Sequence, residues 1–183
     1  MDMRLPVPSY TIDDLDRFPQ DGNRYELLDG MLLVTPAPLY AHQLVCSRLS
    51  LALHAYLEPV DRARVVSPGA VEVAPNTHLE PDILVVPSTY RPSSKWGEIR
   101  GWWLACEVFS ESSVLYDRDH KRDAYLAIGV REVWLVNPWD RVVEVSRPGW
   151  EGPTRHDEGL LWHPPEMPDP LRLDLEPVFR GLE

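Results

Sequence analysis

Two carboxylates stand at positions where a charge is costly unless it is paired. Asp82 begins the apolar segment 82–86, and Glu107 lies near the end of segment 102–109, which is otherwise almost devoid of polar groups. If these segments form antiparallel strands, Asp82 lies opposite Glu107, with about 5 Å between their β-carbons. Like charges at that distance repel, so the pair predicts a bound cation, with a backbone carbonyl from residues 83–85 as a further ligand. The alternative is that each carboxylate ends its strand at a solvated rim.

Lys121 is the third candidate for chemistry. Among 18 basic residues, only Lys95 and Lys121 are lysines. Lys121 lies four residues after Asp117 on one face of a predicted helix, and the same face continues as the apolar stripe at 124–128. The stripe predicts that the ammonium points inward, where a compact charge fits beside a carboxylate or phosphate. The alternative is an ion pair with Asp117 on the helix surface.

Two further residues have ambiguous settings. Glu26 is flanked by apolar residues, so it is either on the outer face of a hairpin or a further metal or water ligand. His42 opens a long helix, where a histidine is more often at the surface or in a cap. The same position also suits contact with a phosphate or a water.

The elements that must position these residues follow from periodicity and turn signals. Asp29-Gly30 between segments 24–28 and 31–35 predicts a hairpin, and helical spacing predicts a helix from about 39 to 57. The other predicted elements are a short helix capped by Thr11, strands at 65–66, 71–73, 83–86, 102–109, 132–136 and 142–146, a helix at 117–128 ending at Gly129, and an alternating edge strand at 171–175. This order predicts a mixed α/β or α+β fold around one sheet. We expect a single domain over residues 1–183, with a core at about 20–146 and a loop-rich extension at 147–183.

Composition narrows the class of protein. The chain of 183 residues is 44% hydrophobic and 26% charged, which is typical of a globular protein, and no apolar run approaches the ~20 residues that cross a bilayer. Cys46 and Cys106 are isolated and have no partnering histidine spacing, so we expect neither a zinc site nor a disulfide. A cytoplasmic location is expected. The net charge of −11 argues against a broadly cationic nucleic-acid surface but permits a local one at 118–131.

Taken in order, the motifs resemble a known family. They are Tyr25–Gly30, His42, Glu80–Val86, Cys106–Ser113, Asp117–Lys121 and Gly129–Val136. This series resembles the PD-(D/E)XK nuclease superfamily and, more closely, the Uma-two family of small bacterial restriction-endonuclease-like proteins. The resemblance covers roughly residues 20 to 146. It implies a restriction-endonuclease-like fold, with a central mixed sheet flanked by helices, an extra N-terminal hairpin and a C-terminal β extension.

The resemblance also implies a chemistry. Asp82 and Glu107 would be metal ligands for Mg²⁺ or Mn²⁺, with Val108 in the predicted metal set, and Glu26 would be a further acidic residue of the site. The superfamily's usual lysine position, two residues after Glu107, holds Phe109, so Lys121 would supply the ammonium from the following helix.

Further roles complete the predicted site. Asp117 would hold Lys121 in place, and His42 is included among the candidate catalytic residues. The implied reaction is hydrolysis of a DNA phosphodiester bond by a metal-activated water.

Two rival functions fit the same residues. The fold could serve as a catalytically silent dimeric module, because Trp102 and Trp103 suit a homodimer interface as easily as a core. A metal-dependent hydrolase of small phosphate esters would explain the charge of −11 without a DNA groove. The intact set of Asp82, Glu107 and Lys121 favours the nuclease, for which we also expect a homodimer.

Overall fold

The computed structural model describes residues 9–110 and 120–182. Its strands β1 to β12 are Arg24–Leu28, Met31–Thr35, Ala63–Val66, Val71–Val73, Thr77–Leu79, Ile83–Pro87, Leu104–Val108, Val133–Asn137, Val142–Ser146, Thr154–His156, Gly159–Trp162 and Leu171–Asp174. Its α-helices are α1 (Tyr40–Leu57), α2 (Arg122–Ala127) and α3 (Glu176–Phe179), and two short 3₁₀-helices span Ile12–Arg17 and Trp96–Glu98. No helix in these ranges is both long and apolar enough to span a bilayer.

The largest sheet within the described residues is mixed. Its six strands run in the order β10-β9-β8-β7-β6-β3, and all neighbours are antiparallel except the parallel pair β7 and β8. A four-stranded sheet, the small sheet, has the order β2-β1-β5-β4. Strands β11 and β12 form a separate two-stranded sheet. The fold is therefore α+β with a central mixed sheet, as the sequence predicts.

Strand β7 lies at the middle of this architecture. All five of its residues are buried, because α1 and the C-terminal segment cover one face of the large sheet while the small sheet and α2 cover the other. Cys106 packs on the side of α1 and the C-terminal segment, whereas Ala105 packs on the side of α2. Alternation along the strand puts Glu107 on the side of Ala105, so this carboxylate enters the layer between the large sheet and α2.

Helix α1 packs by a regular apolar repeat. Val45, Leu49, Leu53 and Leu57 are four residues apart and are almost completely buried against the large sheet. Truncation of such a leucine to alanine typically costs about 2–5 kcal/mol of folding free energy. The helix thereby fixes the height at which His42, in its first turn, meets the sheet.

The hairpin is observed where it was predicted. β1 and β2 have the predicted bounds, and Asp29 and Gly30 have φ of 50° and 80°, as a tight turn with two left-handed residues requires. Gly129 has φ of 100° just after α2 and closes that helix as expected. Strand β12 confirms the predicted alternating segment near the C-terminus.

Several expectations about elements were incomplete or wrong. The missed elements are β5, β10, β11, α3 and the 3₁₀-helix Trp96–Glu98, and each has only three or four residues, which is too short for a period to be read. Trp102 and Trp103 are 1% and 3% exposed, so they belong to the core and do not offer an interface. The homodimer itself stays a prediction.

Candidate active site

The two predicted carboxylates meet at one end of the large sheet. β6 and β7 are antiparallel with Ile83 opposite Cys106, and the same register continued by one residue sets Asp82 opposite Glu107. Asp82 is 5% exposed and Glu107 is 2% exposed. The alternative of solvated strand ends is therefore wrong.

Asp82 is surrounded by hydrogen-bond donors. Its Oδ1 accepts from Arg24 Nη1 at 3.2 Å, and its Oδ2 accepts from the Val108 amide at 2.8 Å. His42 Nε2 lies 3.1 Å from Oδ2. Burial by itself raises the pKa of Asp82, but the His42 contact, the charge of Arg24 and the Val108 amide outweigh it, so the pKa is lowered. Asp82 is an anion at neutral pH.

Glu107 is held by the helix that follows it. Its Oε1 accepts a hydrogen bond of 2.7 Å from the Tyr125 hydroxyl and one of 3.3 Å from Lys121 Nζ. Lys121 is 4% exposed. The prediction that its ammonium points inward is confirmed, and Phe109, in the superfamily's usual lysine position, is buried in the core.

Glu26 joins the hairpin to this cluster. Its Oε2 accepts from Lys121 Nζ at 2.7 Å, and its Oε1 accepts from the Glu80 amide at 2.7 Å. The side chain is fully buried, so the alternative of a hairpin's outer face is wrong. Glu26 anchors the ammonium and also fixes the residue two positions before Asp82.

His42 is not at the surface, contrary to the commoner expectation for a histidine at a helix start. It is 7% exposed, and its ring bridges Asp82 on one side and Cys46, with Sγ 3.6 Å from Nδ1, on the other. Burial, followed by the nearby carboxylates, raises the pKa of the Cys46 thiol, and burial raises that of Cys106 as well. Both cysteines are free thiols.

Arg24 is a site residue that sequence reasoning missed. Besides Asp82, its Nη1 donates to the Glu80 carbonyl at 3.0 Å, and its Nε lies 3.5 Å from the Glu80 carboxylate. Burial opposes its charge, but Asp82, Glu107 and Glu26 more than compensate, so its pKa is raised further. The available signal was its spacing, because Arg24 is two residues before Glu26 on one strand and shares its face.

A small cavity gathers these groups. Its volume is about 30 Å³, enough for one or two water-sized species. Its lining residues are Arg24, Thr35, Pro36, Pro38, His42, Asp82, Glu107, Val108, Ser110 and Lys121. Predicted residue Asp117 lies outside the described residues.

The cavity's donor set suits a hard divalent ion. Asp82 and Glu107 would contribute oxygen ligands from adjacent strands, and the Val108 amide orients the Asp82 carboxylate. Arg24 and Lys121 balance part of the negative charge of these two carboxylates. Displacement of the Arg24 guanidinium from Asp82 would open Oδ1 to a metal.

Comparison with known families places the chain. Residues 12–183 match the Uma2 family, which is described as "Putative restriction endonuclease". The chain belongs to the Uma2 family. The resemblance identified from the motifs is thus confirmed.

A solved structure has the same fold. It is described as a putative nuclease belonging to DUF820 from Anabaena variabilis ATCC 29413, with a TM-score of 0.72 and 22% sequence identity. The match covers 95% of this chain and 99% of the other. A search of curated proteins found no match.

Proposed function

We propose that this protein is a divalent-metal-dependent endonuclease that hydrolyses DNA phosphodiester bonds. The observation that carries the proposal is the convergence of Asp82, Glu107 and Lys121 on one cavity, with the ammonium 3.3 Å from Glu107. Membership of the Uma2 family and the nuclease-like fold support the same reaction class. A silent module could replace these three buried charges together by apolar side chains at little cost in stability, so their joint presence favours a chemical role.

The metal would be held by Asp82 and Glu107, with Val108 beside them. Mg²⁺ or Mn²⁺ fits this oxygen-rich set. Such an ion supplies Lewis-acid activation of water and neutralises charge on the scissile phosphate. The chain's own residues then determine orientation, since the Val108 amide and His42 hold Asp82 in a single position.

Lys121 would act on the attacking water. Its ammonium is anchored by Glu26 at 2.7 Å, so it is fixed in the cavity wall. From that position it orients the attacking water and stabilises the charge that develops on the phosphate oxygens. Asp117 is proposed to help hold it.

Arg24 would contact the phosphate directly. Its side chain is 23% exposed, whereas that of Lys121 is 4% exposed, so Arg24 is the more accessible of the two cations that line the cavity. A guanidinium matches two phosphate oxygens with a planar fork. When a metal takes Asp82, the neighbouring Glu80 carboxylate offers Arg24 a second anchor.

The proposal is tested by cleavage of supercoiled plasmid and of circular single-stranded DNA with Mg²⁺ or Mn²⁺. We expect metal-dependent nicking that Asp82→Asn lowers by at least about 100-fold, because the ligand loses its charge. Asp157→Asn is the matched control, since Asp157 is exposed and lies outside the cavity. Absence of cleavage with either metal, or equal activity of both variants, would refute the proposal.

The same assay separates DNA from small phosphate esters. The net charge of −11 is the one observation that favours a small substrate. A metal-dependent nuclease should cleave DNA far faster than bis(p-nitrophenyl) phosphate at equal phosphate concentration. Faster cleavage of bis(p-nitrophenyl) phosphate than of DNA would instead indicate a hydrolase of small phosphate esters.

A further inference from the structure

A second set of possible metal ligands borders the oxygen site. His42 and Cys46 are one turn apart on α1, and Asp82, which immediately precedes β6, lies beside them. Their ligand atoms all lie within 4.8 Å of one another. The expectation that the cysteines lack a partnering histidine is therefore wrong for Cys46, whose partner is four residues earlier on the same helix face.

The chemistry of these donors differs from that of the Asp82–Glu107 pair. A thiolate, an imidazole and a carboxylate together are typical of Zn²⁺ and other thiophilic ions, whereas Mg²⁺ takes oxygen ligands. One thiolate and one carboxylate also neutralise a divalent charge. Neutrality is required here, because the three residues are at most 7% exposed and a buried net charge is costly.

With one ligand atom from each residue, the set lies within 4.8 Å, which is somewhat wider than a tetrahedral site requires. Zinc bonds of about 2.0–2.3 Å place neighbouring ligand atoms about 3.4–3.6 Å apart. The observed spacings are 3.6 Å from Cys46 Sγ to His42 Nδ1 and 3.1 Å from His42 Nε2 to Asp82 Oδ2. In a metal site a single ring nitrogen of His42 binds the ion, so the imidazole must rotate or the Cys46 thiol must adopt another rotamer to bring the three ligand atoms around it. His42 and Asp82 line the cavity, which provides the entry path and room for a water as fourth ligand.

We propose that His42, Cys46 and Asp82 form a binding site for a thiophilic divalent cation, with Zn²⁺ as its representative. Because Asp82 belongs to both ligand sets, Zn²⁺ in this site withdraws the carboxylate from the Asp82–Glu107 pair. Zinc therefore inhibits the reaction that Mg²⁺ or Mn²⁺ supports. This consequence rests on the proposed function, whereas the binding itself does not.

Cobalt substitution tests the binding directly. The reduced full chain is titrated with Co²⁺ without oxygen, and the near-ultraviolet thiolate-to-cobalt absorption is recorded, followed by its loss when Zn²⁺ is added. We expect Cys46→Ser and Cys46→Ala to abolish the band and to weaken Zn²⁺ binding by at least about 10-fold. Cys106→Ser is the matched control, because Cys106 is an equally buried free thiol outside the ligand set, and it should keep the band.

The outcomes are decisive. The proposed site is refuted if the wild type shows no thiolate-to-cobalt band, or if both folded Cys46 variants keep the band. It is also refuted if the band is lost in folded Cys106→Ser alone. Circular dichroism and urea unfolding establish which variants are folded. Inhibition is then measured by titrating Zn²⁺ into the Mg²⁺-supported nicking reaction. Half-inhibition of Cys46→Ser should require at least about 10-fold more Zn²⁺ than half-inhibition of the wild type. If no metal supports nicking, the proposed function fails while the cobalt result still decides the site.

Discussion

The ammonium of Lys121 lies 2.7 Å from the Glu26 carboxylate, although 95 residues separate them in the chain. Glu26 is on the N-terminal hairpin and Lys121 precedes α2, so this pair fastens the small sheet to the helical side of the site. The carboxylate's other oxygen accepts the Glu80 amide. One buried side chain thus sets the positions of both Lys121 and the segment that leads into Asp82.

We predict that Lys121→Met destabilises the protein and abolishes cleavage, and that adding Glu26→Gln restores only the stability. The single change leaves buried Glu26 and Glu107 without the ammonium between them, which costs roughly 3–5 kcal/mol. Neutralising Glu26 removes most of that penalty. The free energy of unfolding in urea and the rate of plasmid nicking are measured for both single variants and the double variant. Recovery of nicking in the double variant would show that the ammonium only supports the fold.

Replacement of Arg24 should change two affinities in opposite directions. In Arg24→Met, Asp82 loses a competing cation and keeps the Val108 amide and His42, so Mn²⁺ should bind about 10-fold more tightly. The same change removes the proposed phosphate contact, so DNA should bind about 10-fold more weakly. Calorimetry with Mn²⁺ and fluorescence anisotropy of a labelled oligonucleotide in Ca²⁺ measure the two affinities.

Arg17→Met provides the control for Arg24. Arg17 has a side chain that is 78% exposed and pairs with Asp14 at the surface, so its loss should leave both affinities unchanged. A parallel fall of both affinities in Arg24→Met would mean that Arg24 only maintains the fold.

The sequence was sufficient to predict the centre of the site. Asp82 and Glu107 are single charges at facing ends of two apolar strands, and the period of two in a strand leaves little freedom in their register. Lys121 was predictable because Tyr125, which is buried, and the half-buried Ala124 and Ile128 mark the inward face of the helix. These inferences needed only local periodicity and one assumption about pairing.

The periphery of the site was not predictable in the same way. The contacts of Glu26 with Lys121 and of Arg24 with Asp82 span 95 and 58 residues, and they depend on how the small sheet packs against the large one. Strand β5, which links β1 to β4, carries no readable period. The burial of His42 could not be predicted, because it depends on how closely α1 packs against the large sheet, and helical spacing alone does not give that distance.

Removal of the Tyr125 hydroxyl should weaken metal binding and stability together. In Tyr125→Phe, Glu107 loses a buried hydrogen bond of 2.7 Å, which costs about 1–3 kcal/mol of unfolding free energy. A ligand that loses its orienting partner typically binds metal about 10-fold to 100-fold more weakly. Calorimetry with Mn²⁺ and urea unfolding test both effects.

Tyr56→Phe is the matched control for this hydroxyl. The Tyr56 hydroxyl donates at 2.6 Å to the carbonyl of Asp169, on a more exposed surface and outside the cavity. We expect a smaller loss of stability and unchanged Mn²⁺ affinity. Equal effects on metal binding in the two variants would contradict a role for Tyr125 in orienting Glu107.

The contacts of His78 should make stability fall on the alkaline side. Its ring lies 3.0 Å from Glu72 and 3.2 Å from Glu80. Burial lowers the pKa of His78, but the hydrogen bonds and charges of Glu80 and Glu72 outweigh it, so the pKa is raised above its ordinary 6.5. Because the folded pKa is the higher one, the stabilisation is complete below 6.5 and is lost as pH rises through the folded value.

The prediction is that His78→Gln removes this alkaline loss of stability. Urea unfolding at about pH 6 and about pH 9 compares the wild type, His78→Gln and the control His156→Asn, with pH values chosen on either side of a histidine's titration. The wild type and the control should lose stability equally between the two conditions, and His78→Gln should lose less. Burial raises the pKa of Glu80, but the contacts of His78 and the charge of Arg24 outweigh it, so this pKa is lowered. The stability that the ionised Glu80 contributes is therefore lost only in acid, and it does not change between about pH 6 and about pH 9. If all three proteins lose the same amount of stability between the two pH values, the loss arises from groups other than His78.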